Sequence, residues 1–130
     1  MKQNLLEDPI FNKLKFTQDW IDTGIINCHS FTKIKEKYLK ENDCSLEHYR
    51  WLAFRNFLKI NKDIFAKTLQ EIYFLAKHDL NRAMGRSMRF KIIKHINCPV
   101  ELIDLAAKDK DKGLSQQALK LKETINYRNS

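Results

Sequence analysis

Three arginines, Arg82, Arg86 and Arg89, recur at i, i+4 and i+7 in the segment RAMGRSMR, opposite Met84, Met88 and Ile92 on the same predicted helix. That spacing lines cationic groups along one helix face. A planar guanidinium offers paired N–H donors to phosphate or carboxylate oxygens, which the ammonium group of lysine does not. A comparable row, His48, Arg55 and Lys59, falls in the segment HYRWLAFRNFLK, and Lys120 is the nearest equivalent further on. No acidic residue occurs between Asp79 and Glu101. A basic face of this kind suits an acidic protein surface, the favoured partner, or a nucleic-acid backbone, the alternative. Arg55, Lys59, Arg82, Arg86 and Arg89 are the residues expected to make the contact. The solvated faces of amphipathic helices give the same pattern. A further row of Lys33, Lys37 and Lys40 lies on another predicted helix and is expected to face elsewhere.

Cysteine and histidine also cluster, as Cys28-His29, Cys44-x-x-x-His48 and His95-x-x-Cys98. Cys44, His48, His95 and Cys98 together hold two sulfurs and two nitrogens, the donor set of a tetrahedral zinc site. None of these spacings is a zinc signature, and cysteine is commonly a small buried apolar residue, so no metal and no cofactor is expected. A glycine-rich phosphate loop, G-x-S-x-G and H-E-x-x-H are all absent, and the chain is expected to be non-enzymatic.

The elements that must position these residues are helical. A chain of 130 residues with eight Phe, four Tyr and two Trp can bury a core of its own, and three Gly with two Pro are too few for a turn-rich β fold. The longest apolar runs are a few residues, far short of the roughly 20 needed to cross a bilayer. Neither a membrane span nor a signal peptide is predicted. Three cysteines at irregular spacing suit a reducing, cytoplasmic setting. The net charge of +8 is spread unevenly: residues 1–30 sum to −1, 31–62 and 63–97 to +4 each, and 98–130 to +1. Eighteen of the 24 basic residues are Lys, so the three clustered arginines stand out against the composition.

Helix punctuation and apolar periodicity predict seven helices, near 9–22, 31–41, 46–60, 63–78, 82–96, 99–108 and 114–126. Asp8-Pro9 and Ser30 are the expected starts of the first two, and Gly24 closes the first. Helix 46–60 carries two apolar stripes, one through Tyr49, Ala53 and Phe57 and one through Trp51, Phe54 and Leu58, so it needs neighbours on both sides. Nothing alternates apolar and polar residues, so the fold class is all-α.

The same clause also recurs. LAKHDLNRAMGRSMRFKIIKHIN at 75–97 matches LAAKDKDKGLSQQALKLKETIN at 105–126, each with Leu-Ala at the start, Asp at the fifth position and Ile-Asn at the end. Ile60-Asn61 closes an earlier copy, so the closures lie 36 and 29 residues apart. That period is the one expected of helix pairs, which share a continuous core by stacking because one pair cannot bury both apolar faces. The Asp suits a short turn, where its side chain accepts from nearby backbone N–H groups. The chain is therefore expected to be a single domain over 1–130, with a capping helix in 1–30, pairs over 31–61, 62–97 and 98–126, and a tail at 127–130.

The segment CPVELIDLAAKD resembles HEAT-like repeats in their variant form, with Pro99, Glu101, Leu102, Leu105, Ala106 and Asp109 at the positions of a P-x-E-L-x-x-L-A-x-D core. The resemblance covers 61–126 and is densest over 96–126. It implies a short right-handed α-solenoid of about seven helices acting as a binding scaffold. A few proteins of that kind are DNA glycosylases that use an acidic residue beside aromatics, for which Trp20, Trp51 and Asp104 would be the candidates. Leu119, off the main stripe of helix 114–126, is the residue through which two copies would meet in a homo-oligomer.

Overall fold

A computed structural model describes the backbone of residues 4–41 and 44–129, and side chains up to residue 125. Among the described residues there are eight α-helices and one 3-10 turn, Leu5–Glu7, and no strand. The helices are α1 Pro9–Lys13, α2 Gln18–Asp22, α3 Cys28–Glu41, α4 Leu46–Ile60, α5 Ala66–Lys77, α6 Arg82–Ile93, α7 Val100–Ala107 and α8 Lys112–Asn129. The chain divides into two compact units, Met1–Lys62 and Asp63–Ser130. The division falls at the edge between the helix pairs that the sequence placed at 31–61 and 62–97. The segment expected as a tail at 127–130 is helical through Asn129, and residue 130 lies outside the described residues.

In the first unit the single helix expected over 9–22 is broken into α1 and α2. Asp8 caps α1 by accepting from Ile10 N–H at 2.8 Å, with Pro9 at the first helical position. The break comes at Lys15, whose φ of 67° is left-handed, and Phe16 N–H turns back to the Phe11 carbonyl at 3.2 Å. The physical reason is aromatic packing: the reversal brings Phe16 against both Phe11 and Trp20, with ring centroids 5.4 and 5.2 Å apart. Phe31 of α3 meets Phe11 edge-on at 5.2 Å. Gly24, at φ 80°, supplies the left-handed residue that ends this segment, as expected.

Helix α3 begins earlier than Ser30, which is its third-position partner rather than its cap. Asn27 Oδ1 accepts from Ser30 N–H at 2.9 Å, and Ser30 Oγ accepts from Asn27 N–H at 3.0 Å, a reciprocal capping box. Phe31, Ile34 and Tyr38 are buried, as their spacing predicts, against α4. Arg50 of α4 is only 3% exposed, and its Nη1 donates to the Leu14 carbonyl at 2.8 Å. A buried guanidinium thus satisfies a carbonyl left over at the end of α1.

In the second unit α5 packs on α6 and α7 on α8, and α6 also contacts both α7 and α8. The recurring clause has a recurring geometry. Asp79 Oδ1 accepts from Asn81 N–H and Asn81 Oδ1 from Met84 N–H, both at 2.9 Å. Asp109 Oδ1 accepts from Asp111 N–H and Asp111 Oδ1 from Leu114 N–H, again both at 2.9 Å. In each turn one side chain folds the loop and the next caps the following helix. Gly85 weakens the start of α6 as an isolated helix, but a Cβ there would run into the Ala76 carbonyl of α5. Glycine is required by the closeness of the two helices. Its counterpart Ser115 is small too, and donates its hydroxyl to the Ala107 carbonyl at 2.7 Å.

Candidate functional site

The residues expected to form one basic face belong to different units. Arg55 and Lys59 are exposed on α4 of the first unit, whereas Arg82, Arg86 and Arg89 lie on α6 of the second. Each unit has its own charged surface, with its own geometry.

On α6 the three arginines part company. Arg82 is exposed and makes no ion pair among the described residues. Arg86 is half-exposed, with Nε 2.6 Å from Asp111 Oδ2, and its guanidinium covers Gly113. Arg89 is only 9% exposed. Its Nε lies 3.3 Å from Asp109 Oδ2, and its Nη1 donates to the Ala76 carbonyl at 3.5 Å. Asp109 Oδ2 also accepts from the Tyr73 hydroxyl at 2.8 Å. Burial, and then the hydrogen bond to this carboxylate, push the Tyr73 phenol above its ordinary range.

Arg89 is therefore not part of an exposed face. Helical periodicity puts it on nearly the same side as Arg82, but the α7–α8 turn docks over the second half of α6 and covers it. At Asp111 burial works against ionisation. The Leu114 N–H and the Arg86 charge outweigh it and hold the carboxyl below its usual value. The cations left exposed here are Arg82, Arg86 and Lys91 on α6 and Lys94 at its end, with the half-buried Phe90 between Arg86 and Lys94. The Arg86 guanidinium lies 4.8 Å from the Phe90 ring centroid and the Lys94 ammonium 5.8 Å, so cations flank the aromatic ring on the helix surface.

The first unit has a concave feature that the sequence did not disclose. A groove of about 740 Å³ opens between the start of α3 and the end of α4. Ile25, Ile34, Ala53 and Phe57 form its apolar floor, with the exposed Ile60 at the edge. Lys33, Lys59 and His29 supply the charged and titratable groups, with the amides of Asn27, Asn56 and Asn61 beside them. Among the described residues no carboxylate lines it. Lys33 was expected to face away from the α4 row, yet it shares this groove with Lys59. The two helices run antiparallel and bring residues 26 positions apart to one wall. Arg55 is exposed on the same helix but does not line the groove.

The candidate metal ligands also separate. Cys44 and His48 are in the first unit and His95 and Cys98 in the second. His95 Nδ1 accepts from Asn97 N–H at 3.0 Å, and burial pushes the Cys98 thiol up to about 12. A thiol held protonated is a poor ligand. Cys44 and His48 instead meet Glu41. Of the residues considered for glycosylase chemistry, Trp20 is buried in the first unit's aromatic core and Trp51 is half-buried against Phe54. Asp104 lies in the second unit, 2.8 Å from Lys122 Nζ. Leu119 is 48% exposed. Among the described residues no helix is long and apolar enough to cross a membrane.

No family model, curated protein or solved structure matches the chain. The functional reading therefore rests on the geometry of the two units.

Proposed function

We propose that this chain is a non-enzymatic docking module whose first unit seats an acidic, amphipathic segment of a partner protein in the groove between α3 and α4. The observation that carries this reading is the lining: an apolar floor, Lys33 and Lys59 at its walls, and no carboxylate among the described residues that line it. A helix laid into such a groove buries its apolar side chains on the floor while its carboxylates meet the two ammonium groups. The Asp turn repeated in the second unit supports helix pairs of the HEAT-like kind, a scaffold suited to such docking.

A second reading, nucleic-acid binding, has its own observation on α6, where Arg86 and Lys94 flank the Phe90 ring and Arg82 is exposed on the same helix. Cations beside a half-buried ring suit a phosphate backbone and an unstacked base. The two readings respond to different substitutions. A labelled acidic amphipathic helix is expected to bind the wild-type chain, and K33E/K59E is expected to weaken it by about tenfold or more. R82E/K94E should leave that binding unchanged. Peptide binding indifferent to K33E/K59E overturns the groove. A shift of generic DNA or RNA that is abolished by R82E/K94E, and falls with salt at a log–log slope of about −0.9 per phosphate, selects the second reading instead.

A further inference from the structure

We propose that Glu41, Cys44 and His48, where α3 ends and α4 begins, are the three protein ligands of a zinc site. It is independent of the docking groove, which lies at the other end of the same helix pair. Glu41 is the last residue of α3, and His48 lies in the first turn of α4, so two helix ends converge on Cys44 between them. One donor atom from each of the three residues lies within 4.8 Å of the other two. Cys44 Sγ is 3.7 Å from Glu41 Oε2. Tetrahedral zinc, with bonds of about 2.3 Å to sulfur and about 2.0 Å to oxygen, needs that pair about 3.5 Å apart.

The chemistry of the set selects the metal. A thiolate, an imidazole and a carboxylate are a borderline-soft combination that fits zinc and excludes magnesium and calcium, which take oxygen ligands. Binding converts the Cys44 thiol to thiolate and releases its proton to solvent. A water completes the fourth position. The ligands lie within seven positions of one another in the chain, so the effect of such an ion is to pin the end of α3 to the start of α4.

The test is a titration of the reduced, full-length chain with Co²⁺, followed by displacement with Zn²⁺. One equivalent of cobalt is expected to give a thiolate-to-metal charge-transfer band with tetrahedral d–d absorption, both lost on adding zinc. C44S should abolish the band, and H48A and E41Q should each weaken affinity by about tenfold or more. C28S and C98S should leave it intact. Zinc should raise the melting temperature of the wild type and not of C44S. Circular dichroism of each variant without metal shows whether its helices are retained, and the three ligand positions are exposed or half-buried, so they should be. A wild-type chain that gives no charge-transfer band, or a band that survives in C44S or depends on Cys28 or Cys98, overturns the site.

Discussion

The α5–α6 and α7–α8 turns are built from the same side-chain hydrogen bonds 30 positions apart, yet they differ in charge. The cap of α6 is the neutral Asn81, and the cap of α8 is Asp111, which meets Arg86. In the second turn Asp109 does two things: one oxygen folds the turn, and the other accepts from the Tyr73 hydroxyl and pairs electrostatically with Arg89. Local geometry and the joining of one helix pair to the next are thus carried by the same two aspartates. Turn chemistry sets the backbone in both places, and added charge lets the second turn hold α6.

The largest effect is expected of D109A. It leaves the buried Arg89 without its carboxylate and is expected to cost about 3–5 kcal/mol, read from the midpoint of denaturant unfolding. A loss under about 1 kcal/mol would mean that Arg89 finds water. Next is G85A, which forces a methyl group onto the Ala76 carbonyl and should cost about 1–3 kcal/mol. In the other turn S115A removes only the hydroxyl bond to Ala107, for which about 1 kcal/mol is expected.

Acid should act mainly through the charged turn. Asp111 and Asp8 both have carboxyls held below the ordinary value of 3.8, Asp8 chiefly by the hydrogen bond from Lys35, at 2.8 Å. The unfolded chain therefore takes up their protons first as pH falls. Their contribution is complete above that ordinary value and is lost as pH drops through the lower folded values. Unfolding midpoints measured from about pH 6 down to about pH 3 should fall, and less steeply in D111N. At neutral pH D111N should cost only about 0.5–1 kcal/mol, because Arg86 is half-exposed and asparagine still caps the helix. The smallest effect belongs to N81D, which gives the first turn the second turn's cap and should change stability by no more than about 0.5 kcal/mol.

The helices were legible because their causes are local. Apolar spacing placed α4 over the residues expected, and the Asp clause marked both turns of the second unit. The start of α3 was missed for an equally local reason, since Asn27 and Ser30 cap each other and either one alone looks like the start. The break between α1 and α2 was not legible. It depends on Phe16 reaching Phe11 and Trp20, and no period in the sequence encodes that packing.

The candidate sites show the same division. Composition and local spacing were enough for an all-helical chain, its paired helices, the Asp turns and an excess of positive charge. Which cations face outward depended on packing between helices. Helical spacing fixes an angle around one axis, but exposure depends on what another segment covers. The α7–α8 turn covers Arg89 and leaves Arg82 outside, while the antiparallel crossing of α3 and α4 brings Lys33 to Lys59 and Glu41 to Cys44 and His48.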